Sequence, residues 1–580
     1  MPERARNGAA MQRRTFLQSA AAAFLVSPPT RARGASPDWP ALRRQVGDRL
    51  IDIHSPLVEC ARNHGAGADA LFAALKNPFY LSDEPSLTQT LGWTDAWTSE
   101  PSLKGVAATS ARDAAAAIKF CRDFGIAPVI KGGGHSYFGN SNRAGSLLIW
   151  THPMRQVELH DDFRPAGAPA ETLPVQAVSL GAGCLWGEVY RRVAVENGRY
   201  VQGGGCLTVG VAGLVQGGGF GSLSKQFGTG AANLLEAEVV TADGQIRTVN
   251  KWRDPELFFA LRGGGGGTFG VVTRLTLRTH PLPSLAGAAH FVIRAKSEAA
   301  WNQLAGRIVD FYADHLFNPT WGEQIRFGRR RLTIDMFCHG LSKEQIAATW
   351  APFIDWSKKR PNDFELVGDP SFISLPARSL WDPAVLRQVP GAVLQDDRGG
   401  ASPANIYWAG NRGEAAQVLH AYQSAWLPNR LLEAAHRHSL AMAMARAGEQ
   451  WDITWHCNKG LGGGFPEAIQ ATLETAMNPE VVNSFALVIC AAEEQPAYPG
   501  IPGREPRTAE GRSDAAGVSR AMAEIYKLVP NAGAYVSESN YFQRDFKRAY
   551  WGSNYPRLAA AKRRYDPNWL FRGRNCVEPV

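Results

Sequence analysis

No C-x-x-C pair occurs among the eight cysteines of this 580-residue chain, which removes zinc ribbons and thioredoxin-like redox chemistry. No glycine cluster is followed by G-K-[ST], so a phosphate loop of the Walker type is missing too. The apolar run near the N-terminus, Ser19 to Val26, is far too short to span a bilayer, and no stable membrane insertion is expected. Basic clusters with interleaved aromatics are lacking, which leaves nucleic-acid binding without support. Charged residues make up 20%, and there is no long low-complexity tract, which argues against extensive disorder. His436 and His438 flank an arginine on a polar helix face with no spaced carboxylate, so no metal site is expected.

What the chain has in excess is glycine, 59 residues, about a tenth of the total against the usual ~7%. Much of it falls in clusters at 132–134, 203–205, 217–221 and 263–267, the mark of backbone brought close to something flat or anionic. The first 35 residues read as an address. Gln12-Arg13-Arg14-Thr15-Phe16-Leu17-Gln18 ahead of the short apolar run resembles a twin-arginine export signal, implying a periplasmic or secreted protein. Six arginines against Glu3 give this segment +5 of the formal +9, leaving +4 dispersed along the rest.

From about 100 to 280, short β-rich runs alternate with helical stretches. The pattern predicts a helix over 111–124 and a strand over 127–131 running into Gly132-Gly133-Gly134-His135. It also predicts a helix over 185–196, a hairpin around Ala242-Asp243-Gly244, a helix over 255–261 with Asp254 as N-cap, and a strand over 270–279. Past Pro281-Leu282-Pro283, longer amphipathic helices and spaced strands follow, with far fewer glycines.

Gly265-Gly266-Gly267-Thr268-Phe269-Gly270 satisfies the dinucleotide pattern G-x-G-x-x-G but lies between a helix and a strand. The Rossmann mechanism needs the reverse order, so that reading fails. Gly132-Gly133-Gly134 can present successive N–H groups as an anion nest, with His135 and Ser136 directly beyond it. Gly203-Gly204-Gly205-Cys206-Leu207-Thr208-Val209-Gly210, then Gly213 and 217–221, form a second glycine track that suits a flat ligand. Alone, each histidine or cysteine in such a loop is a turn residue or a small buried group; together and in this order they are specific.

In that order the motifs resemble the vanillyl-alcohol oxidase/p-cresol methylhydroxylase superfamily, and within it the berberine-bridge-enzyme-like FAD-linked oxidases. G-G-H-S matches Gly133-Gly134-His135-Ser136, and G-x-C-x-x-V-G matches Gly204 to Gly210. Glu238 to Gly244 and Gly270-Val271-Val272-Thr273 are similar to adenine-side and flavin-side segments. Trp551 to Leu558 and Lys562 to Asn568 resemble the C-terminal signature. Asn77-Pro78-Phe79-Tyr80, Gly92 to Trp97 and Asn458 to Leu461 resemble an isoamyl-alcohol-oxidase-like subgroup.

The resemblance implies an α+β protein: a two-part FAD-binding domain of the p-cresol methylhydroxylase type plus an α+β substrate domain with an antiparallel sheet. Its expected segments are the signal at 1–35, an N-terminal segment at 36–96, the FAD-binding domain at 97–282 and the substrate domain at 283–535. A C-terminal segment at 536–580 returns to the FAD domain. It implies FAD held twice, by His135 at the 8α-methyl carbon and by Cys206 at C6, with Asn554 as a flavin contact. It also implies an active-site Tyr137, and a Y-V-N-E-like cavity segment here reading Tyr535-Val536-Ser537-Glu538.

Tyr535 is the first expected base, needing a pKa depressed by positive charge, and Glu538 the second; His456 is a further pocket candidate. Tyr137, two residues past His135 in a strand-like stretch, would share its face. Val209, three residues past Cys206, stands where the family gates oxygen, with valine permissive. The expected activity is therefore hydride transfer from an alcohol-type carbon of a small molecule, with O2 as acceptor. Two alternatives stand beside it: a dehydrogenase using a quinone or cytochrome, and a non-catalytic exported binder with a vestigial flavin site.

Overall fold

The helix expected over 111–124 forms over Ala111–Phe124, and its ends show why. Ser110 and Asp113 make a reciprocal capping box, and Gly125 closes the helix at φ 68°. Ala114, Ala117, Ile118 and Cys121, spaced three and four apart, form the buried stripe. The computed structural model describes residues 36–579, so the arginine pair and apolar run read as an export signal lie outside the described residues.

Two sheets occupy the first half. The smaller one has the order Leu50–Asp52, Lys104–Ala107, Ser146–Trp150, Ala127–Lys131, parallel except at Leu50–Asp52. The second is antiparallel and centres on the long strand Val271–Pro281, which pairs with Leu234–Val240 on one side and Val175–Gly181 on the other. The hairpin over 242–244 joins Leu234–Val240 to Ile246–Val249.

A ten-stranded sheet draws most of its strands from Leu285–Ala295 onward. It is antiparallel except where Thr90–Trp93, a strand from the N-terminal segment, runs parallel to Gln417–Pro428, with the short strand Trp97–Thr98 beyond it at the edge. One face packs on helices Glu298–Phe311, Lys343–Lys358, Ala434–Gln450 and Thr508–Leu528, around the fully buried Trp301, Trp350 and Trp455. The period of two is plain in Arg331–His339, where Leu332, Ile334, Met336 and Cys338 alternate inward. The same alternation turns Arg326, Thr454, His456, Tyr422 and Glu493 toward the opposite face.

Two local expectations need correction. Of the helix read over 185–196, only Trp186–Tyr190 is α-helical; Arg191–Val195 continues as a π-helical turn. Asp254 precedes helix Pro255–Leu261 but makes no side-chain cap, because its carboxylate accepts the Tyr565 hydroxyl at 2.7 Å. All eight cysteines are free. Among the described residues no helix is long and apolar enough to cross a membrane.

Candidate functional site

A cavity of about 300 Å³ opens between the glycine loops and the C-terminal segment. Strand Ala127–Lys131 delivers its first wall. The fully buried ammonium of Lys131 donates to the carbonyls of Leu81, Glu84 and Leu87 at 3.1, 2.6 and 2.6 Å, fastening the loop's start to the end of helix Pro78–Asp83. Burial pulls that ammonium down to about 7. The loop's own carbonyls are then taken up, Gly133 by the Ser82 hydroxyl at 3.1 Å and Gly134 by the Gln89 N–H at 3.0 Å.

The second glycine track crosses this loop at backbone distance. A Cβ on Gly133 would stand 2.7 Å from the Gly210 nitrogen, and one on Gly210 would stand 2.8 Å from the Gly133 nitrogen. Only glycine at both positions lets the two loops touch. The contact puts Thr208 beside His135: Nε2 of the ring lies 3.1 Å from the Thr208 carbonyl and 3.4 Å from its hydroxyl. The same hydroxyl is 3.5 Å from Cys206 Sγ. Burial holds the His135 ring down to about 4, so it is neutral at ordinary pH. Burial, and then the charge of Glu414, push the Cys206 thiol up to about 11.

Toward the sheet the wall becomes side chains. The Tyr137 and Tyr422 rings lie 5.1 Å apart, and the Tyr137 carbonyl accepts from the Trp97 indole at 3.1 Å. The stretch around Tyr137 is bend and turn, not strand, so its place at the cavity comes from these contacts and not from alternation with His135. Tyr535 sits edge-on to Phe220 at 5.0 Å and its hydroxyl accepts from the Gly219 N–H at 3.2 Å. The depressed pKa that a base at Tyr535 requires is not found: burial, then Glu538, push it up to about 12. Tyr137 is driven well above the usual tyrosine value by burial and then by Glu414.

Glu538 is ion-paired with Lys459. His456 stands on strand Ile453–His456, held well below the usual histidine value by burial and the nearby Lys459 and Arg326. Glu414 ends a short helical turn, Ala409–Glu414, and is exposed to solvent. The protein packed around its exposed carboxylate and the carboxylates of Glu493 and Glu538 push it up to about 7.

Of the residues expected from sequence, Gly132 through Tyr137, Val209, Gly210, Gly213, Val272, Tyr535 and Glu538 all lie in the cavity wall. Two do not. Cys206 stands just beyond it, half-buried and joined to it through Thr208. Asn554 faces elsewhere: its amide donates to the carbonyls of Thr475 and Met477 at 3.3 and 2.7 Å, and Asn575 takes a place in the wall instead. The rejected dinucleotide glycines, Gly265 to Gly267, also line the cavity, between a helix and a strand and without Rossmann geometry. Arg143, Arg572 and Glu414 carried no sequence signal. Three buried polar atoms of wall residues lack any partner, the Gln216 Oε1 acceptor, the Arg143 Nη2 donor and the Thr268 hydroxyl.

Comparison with known proteins gives the family and the fold. Residues 104–250 match a family described as an FAD binding domain, and residues 534–578 match "berberine and berberine like". An FAD-linked oxidoreductase of Arthroderma benhamiae is 30% identical over 477 residues, covering 80% of this chain and 87% of the relative. Among solved structures, a VAO-type flavoprotein of Myceliophthora thermophila superposes with a TM-score of 0.75 at 21% identity over 95% of this chain and 96% of its own. A glucooligosaccharide oxidase of Acremonium strictum does so at 0.64 with 20% identity, over 83% and 93%. These two carry the fold.

Proposed function

Because this chain belongs to the berberine-bridge-type FAD-linked oxidoreductases, we propose that it is an oxidase taking hydride from an alcohol-type carbon of a small molecule and reducing O2 to H2O2. The wall suits FAD: glycine backbone that a side chain would fill, the Gly132–Gly134 loop for a pyrophosphate, and the unpartnered Arg143 Nη2 and Gln216 Oε1 for polar edges of the cofactor. Bound FAD supplies a hydride acceptor at N5 and a route for the electron pair to oxygen.

His135 and Cys206 would hold the flavin covalently. The observation that carries this reading is their meeting across one residue, with Thr208 3.1 Å from the His135 ring and 3.5 Å from the Cys206 sulfur. The Acremonium strictum oxidase is described with a 6-S-cysteinyl, 8α-N1-histidyl FAD, which supports the same pair here. Val209, in the wall beside this junction, favours oxygen as acceptor over a quinone or cytochrome.

For the substrate hydroxyl proton, Glu414 suits best, since its value near 7 matches ordinary working pH while the tyrosines are pushed out of range. Tyr137 and Tyr422 would sandwich or flank the substrate, and Glu538, held by Lys459, would accept a hydrogen bond from it. Structural relatives named as chitooligosaccharide, glucooligosaccharide and xylooligosaccharide oxidases make sugars the first arm of a substrate panel, beside simple alcohols and hydroxy acids.

Acid precipitation tests the attachment: the flavin should stay with the protein, and its release into the supernatant sinks the covalent reading. Peroxide release across the panel tests the oxidase reading, which sluggish reoxidation of the reduced enzyme in air overturns. Export is part of the proposal, and Arg13→Lys with Arg14→Lys should retain the protein inside the cell.

A further inference from the structure

Thr208 is 1% exposed and sits where the two glycine tracks touch, so its polar atoms have no water to turn to. We propose that Thr208 is the positioning residue for flavin attachment, its carbonyl selecting the reactive nitrogen of His135 and its hydroxyl holding the Cys206 sulfur ready to attack. The inference rests on the doubly attached flavin proposed above.

A carbonyl oxygen can only accept, so the 3.1 Å contact assigns the ring hydrogen to Nε2 and leaves the lone pair of the neutral imidazole on Nδ1. That nitrogen is then the nucleophile. With Nε2–H directed at the carbonyl, the Thr208 hydroxyl hydrogen is left for the sulfur 3.5 Å away. The thiolate is the nucleophile, and burial works against it; a hydroxyl donating to the charged sulfur favours it. The β-branched side chain has few rotamers, which keeps the hydroxyl between ring and sulfur.

The chemistry balances with molecular oxygen. Forming the carbon–sulfur bond removes the hydrogen of C6 and that of the thiol. The two protons and two electrons pass to O2, giving H2O2. The carbon–nitrogen bond likewise removes one hydrogen from the 8α carbon and one from the imidazole. One residue therefore serves both bonds in different ways: the nitrogen bond through backbone, which substitution leaves in place, and the sulfur bond through a removable hydroxyl.

Full-length wild type, Thr208→Val and Thr208→Ser are isolated and held in air across a range of pH. The flavin-bearing peptides are then counted by mass spectrometry. Valine keeps the volume and the carbonyl but lacks the hydroxyl. We expect its Cys206 bond to form about tenfold or more slowly, with the pH midpoint moved up by about one unit. Its His135 bond should be intact, and serine should restore both rate and midpoint. A valine variant that links Cys206 at the wild-type rate and midpoint overturns the proposal, as does a serine variant as slow as valine, which would assign the effect to packing. If the valine variant does not fold, Thr208→Ala read by the same midpoint decides. Wild type that yields no flavin-bearing peptide at all refutes the double attachment itself, a distinct outcome.

Discussion

Between the glycine loops and the ten-stranded sheet, the protein changes the material from which it builds the cavity. On the loop side the wall is backbone: Gly133 and Gly210 pass so close that a methyl on either would strike the other's nitrogen, and loop carbonyls are tied off by Ser82 and Gln89. On the side toward the sheet it is side chains: Tyr137 and Glu538 stand in the wall, backed by Tyr422 and Lys459. A backbone wall fits one shape and has no group that titrates. A side-chain wall tolerates changes of volume and responds to pH and to the loss of a partner. The first suits a cofactor that never changes, and the second a substrate that differs among relatives.

The sharpest way to break this contrast is Gly133→Val. Its Cβ would lie 2.7 Å from the Gly210 nitrogen and 3.2 Å from the Thr208 carbonyl, both backbone, so neither can swing away. We expect flavin content, read as the flavin-to-protein absorbance ratio, to fall about tenfold or more. Gly205→Ala meets nothing within 4 Å and should keep its flavin, which separates contact from glycine content as the cause.

On the other wall, Lys459→Met leaves the Glu538 carboxylate without its ion-pair partner. Flavin content should hold while kcat/KM falls about 10–100-fold, as for a largely buried pair that loses one member. Loss of flavin in this variant would mean that the two walls are not independent.

How much of this was legible in the sequence divides along the same line. Glycine loops announce themselves because close backbone approach requires glycine locally, and the Ser110–Asp113 box announces a helix start for the same local reason. Side chains whose partners are distant give no such sign. Asp254 has the local context of a cap, yet Tyr565, far along the chain, takes its carboxylate. Glu414 belongs to an excursion anchored by Trp408, whose indole donates to the Gly205 carbonyl at 2.8 Å; no motif marks that contact. The Y-V-N-E-like segment pointed to the right place at Tyr535 and Glu538, but the protonation expected of Tyr535 had the wrong sign because burial there exceeds any cationic help.

Glu414, whose charge acts on Tyr137 in the wall, gives a pH test of that side. Its folded value of about 7 lies above the usual 4.5. As proton acceptor it works when ionised, so kcat/KM should rise with pH through about 7, and Glu414→Gln should lose that limb. Stability moves the opposite way. Between 4.5 and 7 the folded chain holds a proton that the unfolded chain has released, so stability falls as pH rises through that window. Glu414→Gln should flatten that fall, measured as Tm against pH; an unchanged slope would assign the rate limb to another group.

The smallest effect is expected at Asn554, and it bears on whether the C-terminal return belongs to either wall. Its amide bridges the carbonyls of Thr475 and Met477, and Met477 in turn packs where a Cβ on Gly218 or Gly263 would stand. Asn554 thus fastens the return to the loop that supports the glycine track without facing the cavity. Asn554→Ala removes the one amide that donates to the carbonyls of the buried Thr475 and Met477 and should cost about 1–2 kcal/mol, seen as a small drop in Tm. Flavin content and the yield of both flavin-bearing peptides should match wild type. A variant that keeps its Tm but loses flavin would return Asn554 to the flavin site, and with it a side-chain contact to a wall that otherwise works by backbone.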